Sequence, residues 1–173
     1  AQYQRALELH RSTAFERGES DTLGNLGGVH LLLGRYREAL EYYRQALAIS
    51  ERAGLKPSMV QDLGNIGFCY LGMGRLAEAQ ASFERALQLA REAGMKKEEA
   101  ELHKGRGSGL LRLGKFNAAL EDYARALKVD ESAGLKREKV EGLSDRGTAL
   151  LMLGDLVSAE RDFTEAAELA RSI

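Results

Sequence analysis

The sequence predicts an all-α protein, a solenoid of antiparallel helix pairs with about nine helices. Three observations predict it. The segment Leu23-Gly24-Asn25-Leu26-Gly27 returns as Leu63-Gly64-Asn65-Ile66-Gly67, a shift of 40 residues, and self-similarity at such a period marks stacked repeats. Glycines keep the same register in three classes: Gly27, Gly67, Gly107 and Gly147; Gly34, Gly74, Gly114 and Gly154; and Gly54, Gly94 and Gly134. Finally, Tyr43, Phe83, Tyr123 and Phe163 recur at that spacing, each inside an Ala-x3-aromatic-x2-Ala pattern that sets two small residues and a ring on one helical face.

These marks place helices at 17–33, 36–53, 57–73, 76–93, 97–113, 116–133, 137–153 and 156–172, grouped into repeats 17–56, 57–96, 97–136 and 137–173 of one array spanning 1–173. The Gly34 class follows apolar runs such as Val29 to Leu33 and is read as the left-handed cap ending each first helix. The Gly54 class ends each second helix. Pro57, the single proline, falls at the first position of a new helix, where its missing N–H costs nothing. The Gly27 class lies inside a helix and costs about 1 kcal/mol of helix propensity each. Its return is close approach by the ring sixteen residues further on.

The chain's two ends fit the same register. Tyr3, Ala6 and Leu7 lie 40 residues before Tyr43, Ala46 and Leu47, so residues 1–16 are expected to be the second helix of a preceding, truncated repeat. The chain stops after another second helix, with Phe163, Ala166 and Ala170 on an apolar face. Terminal repeats normally carry a solvated outer face, so the expectation is a slice of a longer array whose uncapped ends self-associate.

Composition narrows the function classes. A hydrophobic fraction of 44% with 29% charged residues describes a packed protein, and a net charge of -1 with both signs interspersed argues against nucleic acid as partner. No apolar run approaches the roughly 18 residues that cross a bilayer. The lone Cys69 excludes an intrachain disulfide and reads as a buried small apolar residue, consistent with a reducing, cytoplasmic location. His10, His30 and His103 have no metal-ligand spacing; His30 and His103 occupy core positions held by Tyr or Leu in other repeats. The stretches Gly24–Gly28 and Gly105–Gly109 lack the strand and the Gly-Lys-Ser/Thr ending of a phosphate loop. The reading is therefore of a protein that is not an enzyme and uses no cofactor or metal.

The pattern Leu23-x2-Leu26-Gly27-x2-His30 with Ala39-x3-Tyr43, and Leu63-x2-Ile66-Gly67-x2-Tyr70 with Ala79-x3-Phe83, resembles the tetratricopeptide repeat family. The resemblance implies a right-handed superhelical solenoid. The period of 40 departs from the family's usual 34 and lengthens each helix to about 17 residues, or ~25 Å. Units of that length are similar to those of Pins-type adaptors, kinesin light chains and bacterial signalling proteins. The resemblance implies a protein–protein interaction scaffold that takes a protein or peptide segment along the concave side lined by the first helices. Two other classes stay open: a ligand-sensing repeat domain of a larger signalling ATPase or transcription regulator, and an architectural or self-associating array.

Carried onto this sequence, the groove positions are Asp21, Asn25, Gly28 and Leu32 in the first repeat and Gln61, Asn65, Phe68 and Gly72 in the second. The third offers Glu101, Lys104, Ser108 and Arg112, and the fourth Glu141, Ser144, Asp145, Thr148 and Met152. Asn25 and Asn65 are the sharpest of these, because an amide offers both donor and acceptor to a peptide main chain. Gly105 and Asp145 interrupt that ladder. Phe68 is a candidate apolar anchor, and Lys104 and Arg112 are expected to meet an acidic ligand side chain. Separately, Arg106 and Asp122 lie eight residues either side of Gly114, as do Arg146 and Asp162 around Gly154. Each couple is expected to form a structural ion pair across its hairpin.

Overall fold

A computed structural model describes Arg5, Leu9 and residues 15–173. The expected second helix of a preceding repeat, with Tyr3, Ala6 and Leu7, and His10 lie outside the described residues. From residue 15 onward the chain forms α1 (Glu16–Leu32), α2 (Tyr36–Arg52), α3 (Lys56–Gly72), α4 (Leu76–Glu92), α5 (Lys96–Arg112), α6 (Phe116–Ala133), α7 (Lys136–Leu153) and α8 (Leu156–Arg171). No strand occurs among the described residues.

Glycine ends the helices as their register requires. Gly34, Gly54, Gly74, Gly94, Gly114, Gly134 and Gly154 all take left-handed φ values between 67° and 89°, a conformation that costs other L-residues energy. At Gly34 the following Arg35 N–H reaches back to His30 O at 2.9 Å and Gly34 N–H to Leu31 O at 3.0 Å. That pair of bonds satisfies two of the carbonyls a helix end leaves open. The same 6→1 bond recurs from Arg75 to Tyr70, Lys115 to Leu110 and Asp155 to Leu150.

The mid-helix glycines do the opposite work. A Cβ on Gly27 would stand 2.8 Å from the Tyr43 ring, one on Gly67 2.8 Å from Phe83, on Gly107 3.0 Å from Tyr123 and on Gly147 2.9 Å from Phe163. In each hairpin the ring of the second helix thus lies flat in the space left by the missing side chain of the first. The helix propensity lost at glycine returns as packing density.

The chain divides into two compact units, Ala1–Ala93 and Gly94–Ile173. In the first, α1 pairs with α2 and α3 with α4, α2 packs on α3, and α1 touches α3. In the second, α5 pairs with α6 and α7 with α8, α6 packs on α7, and α5 touches α7. Among the described residues no comparable contact joins α2 to α4 or α6 to α8. Within each unit the first helices therefore converge and the second helices splay, which puts the first helices on the inner side. Leu23, Ala46 and Ile49 centre the core of the first unit; Ala119, Tyr123 and Ala149, with Leu127, Leu143 and Ala166, centre that of the second.

Phe163 departs from its equivalents. Tyr43, Phe83 and Tyr123 are at most 2% exposed, whereas Phe163 is 38% exposed. The outer flank of α8 forms an open groove of about 510 Å³ lined by Leu151, Leu156, Phe163 and Ala167 with Glu160 and Arg171 at its rim.

Candidate peptide-binding faces

On the first unit, α1 and α3 present Asp21, Asn25 and Gln61 exposed and Asn65 half-buried. Asp21 lies 4.0 Å from Arg17 on its own helix. The Asn25 and Asn65 amides make no hydrogen bond among the described residues, so their donors and acceptors are unspent. Leu32, at the C-terminal end of the same row, is 90% exposed. Phe68 is only half open, because its ring meets Phe83 edge-on at 5.2 Å and 83°. Gly72 opens a place for the Tyr36 ring, which occupies the space of a Cβ there.

Behind this face runs a buried polar chain that repeat matching alone did not bring out. Ser20 Oγ sits 3.2 Å from Ala46 O and 2.7 Å from Ser50 Oγ, which in turn lies 3.2 Å from Asp62 Oδ2. All three side chains are buried. Burial pushes the Asp62 carboxyl up to about 7; the Ser50 hydrogen bond opposes that rise and the like charge of Asp21 adds to it. The signal for it was in the repeat register: Asp62 stands where Thr22, Leu102 and Gly142 stand, and Ser50 where Ala90 and Asp130 stand.

The second unit is built differently. Arg106 reaches Asp122 with two donors, its Nε at 2.6 Å from Oδ2, and Arg146 does the same to Asp162 at 2.6 and 2.8 Å. Such forked contacts match guanidinium to carboxylate geometry. Both carboxylates are buried, with Asp162 fully so. Asp122 also meets His103 Nδ1 at 3.2 Å. Burial pushes its carboxyl up, but hydrogen bonds from His103 and Arg106 and their charge prevail and hold it at about 2. His103 thus occupies a core position as a hydrogen-bonding group, whereas His30 is half-buried, its ring tilted 38° against Tyr42 at 5.2 Å. Cys69 is buried, and that burial pushes its thiol up to about 12.

Lys104 does not face outward as a free cation. It is 7% exposed, and its ammonium donates to Glu141 Oε2 at 3.1 Å. Arg112 is exposed at the far end of α5, and Asp145 is half-buried on α7. Ser108 bridges the Lys104 carbonyl at 3.1 Å and the Tyr123 hydroxyl at 3.0 Å. Among the described residues no cluster of His, Cys, Asp and Glu has metal-binding geometry, and no helix is long and apolar enough to cross a membrane.

Sequence profiles for the tetratricopeptide repeat match residues 1–52 and 62–132, and a second such profile matches 104–173. The chain belongs to the tetratricopeptide repeat family. A search of curated proteins by sequence gives no match. By structure, this tetratricopeptide array is similar to BtubC (BKLC) from P. vanneervenii, with a TM-score of 0.77 at 17% identity over 99% of this chain and 74% of that one. It is similar to a Rap protein solved in complex with Competence and Sporulation Factor, with a TM-score of 0.83 at 18% identity over 98% of this chain. It spans about half of that Rap protein, 47% of its length. It also resembles a putative kinesin light chain from Podosopora anserina with nearly identical TPR-like repeats, at a TM-score of 0.70 and 12% identity over 98% of this chain and 84% of the other. At these identities the likeness speaks for the tetratricopeptide fold. The chain is a protein-interaction repeat scaffold.

Proposed function

We propose that this array acts as a non-catalytic adaptor that holds an extended protein or peptide segment along the inner faces of its first helices. The observation that carries this reading is the pair of unspent amides, Asn25 and Asn65, one repeat apart on adjoining helices. An extended main chain presents alternating donors and acceptors, and side-chain amides match both. Leu32 and the open edge of Phe68 flank the row and offer apolar contact to alternate ligand side chains. The Rap protein among the structural neighbours was solved with a bound factor, which accords with ligand capture by such a face.

A display library of unstructured peptides selected on the full chain tests the proposal. Selected peptides, labelled and measured by fluorescence polarisation, are expected to bind the Asn25→Ala/Asn65→Ala double variant at least tenfold more weakly, with its circular dichroism unchanged. Equal affinity for the double variant rejects this face as the site.

The exposed flank of α8 favours a second reading, self-association. Phe163 stays 38% exposed where its three equivalents are shielded, and Leu156, which lines the same groove, is 62% exposed. An exposed groove with apolar side chains inside a polar rim is of the kind that suits contact with a second protein surface.

A further inference from the structure

The inner face of the second unit carries an imbalance of charge. Lys104 on α5 is buried and tied to Glu141 on α7, whose own side chain is 70% exposed. Around them stand Glu101, Glu138 and Asp145. Lys97 pairs with Glu138 at 3.1 Å and also feels Glu101 and Glu141, and Asp145 feels Lys104, so two lysines face the four carboxylates of Glu101, Glu138, Glu141 and Asp145. Burial pushes the Asp145 carboxyl up, Lys104 opposes that rise and Glu141 adds to it.

Beneath this surface lies Asp130 on α6. It is 0% exposed, and neither carboxylate oxygen has a hydrogen-bond partner. An orphaned buried carboxylate is costly and needs a reason. Its repeat equivalents are Ser50 and Ala90. Gly142 on α7 lies against it, with a Cβ there 3.6 Å from Asp130 Oδ2 in ordinary contact and 3.0 Å from Leu127. Burial pushes its carboxyl up to about 6; Lys104 pulls it down, and Glu138, Glu141 and Glu101 push it further up. Lys104 is therefore a cation with one partner at the surface and a second, empty-handed one within electrostatic reach inside.

The geometry points to a basic-residue subsite: Glu101, Glu141 and Asp145 receive a lysine or arginine side chain of an extended peptide, and Lys104 turns inward from Glu141 onto Asp130 as the ligand cation replaces it. This rests on the groove reading above and gives it a sign. The face expected from sequence to use Lys104 against an acidic ligand has that cation already engaged, and what it shows outward is carboxylate. The exchange also accounts for Asp130, which gains its missing partner when ligand is bound. Charge complementarity of this type sets ligand choice more than total affinity.

Two labelled probe peptides test it, alike in length and in their Gly/Ser/Ala background, one bearing lysines and one bearing glutamates, alongside the library peptides selected above. The lysine probe is expected to bind the full chain at least tenfold more tightly than the glutamate probe, and Glu141→Lys to abolish that preference. Glu141 is largely exposed but is the surface partner of buried Lys104, so circular dichroism and a urea melt check that the substituted chain is folded, and Glu141→Gln, which keeps an acceptor for Lys104, is expected to weaken the preference in the same direction. Carboxyl NMR supplies an independent reading: Asp130 is expected to titrate at about 6 in the free protein and at least one pH unit lower with the lysine probe saturating. Selected peptides that bind without charge preference, or with preference for glutamate, overturn the subsite and leave the groove standing. Failure of every selected peptide to depend on Asn25 and Asn65 overturns the groove. Tight lysine-probe binding with an unmoved Asp130 titration overturns the inward turn of Lys104.

Discussion

Replacing Asp62 with asparagine changes one buried charge and little else, and its consequence follows from the hydrogen-bond chain behind α1 and α3. Ser50 Oγ donates to Asp62 Oδ2 at 3.2 Å and Ser20 Oγ lies against both Ser50 Oγ and Ala46 O, so a single hydroxyl is the donor this row supplies to a buried carboxyl group. When Asp62 is ionised, the carboxylate sits buried with that hydroxyl as donor and with Asp21 as the like charge acting on it from α1. On α2 the groups facing it are Ser50 and Tyr43, and burial together with the charges of Cys69 and Asp62 pushes the Tyr43 phenol upward. Among the described residues no cation figures among the groups acting on it. The folded-state value of about 7 stands above the ordinary 3.8, so the stability linked to this group is fully present below pH ~4 and is lost as pH rises through ~7. Some three pH units at 1.36 kcal/mol each give a ceiling of about 4 kcal/mol.

Asparagine keeps an acceptor for the Ser50 hydroxyl and carries no charge at any pH. The variant is therefore expected to match the wild type below pH ~4 and to exceed it by about 2–4 kcal/mol at pH 8. Urea unfolding followed by circular dichroism at a series of pH values reads the difference directly. Asp130 also titrates upward, at about 6, and contributes to both proteins equally, so the comparison isolates Asp62. A wild-type and variant difference that stays constant from pH 5 to pH 8 refutes the argument.

Other substitutions test the remaining physics. Gly67→Ala drives a methyl to 2.8 Å from a fully buried Phe83 ring and is expected to cost about 2 kcal/mol net of the helix propensity gained; combined with Phe83→Leu it should show favourable coupling of about 1 kcal/mol, and strict additivity in the unfolding cycle contradicts the ring-over-glycine account. Arg146→Ala strands the buried Asp162 and is expected to lower stability by about 3 kcal/mol; a thermal melt indistinguishable from wild type rules out a structural role for the pair. Phe163→Glu is expected to abolish concentration-dependent sedimentation if the α8 flank mediates self-association, and a wild-type chain that sediments as a monomer at all concentrations removes that reading.

What the sequence made legible was whatever the repeat enforces. Helix ends, left-handed glycines and the glycine–ring couples recur at fixed spacing because each unit solves the same packing problem, and a period of 40 exposes a solution used four times. Arg106 with Asp122 and Arg146 with Asp162 belong to that class: both couples straddle a turn symmetrically, and antiparallel geometry brings such residues together. The polar groups that break the repeat were harder to place. Asp62 and Asp130 occur once each, at positions where other repeats hold Thr, Leu, Gly, Ser or Ala, and their burial depends on which neighbour has shrunk to make room. The small hydroxyls of Ser20 and Ser50 accommodate Asp62, whereas Asp130 is buried beside Gly142 and Leu127 with no such partner. Lys104 illustrates the same limit from the other side. Its register put it among the groove positions, yet its side chain is buried and its ammonium is engaged by Glu141 one repeat later. A repeat's consensus therefore encodes the scaffold, and its deviations, read across neighbouring repeats at the same buried positions, are where ligand preference and pH response are written.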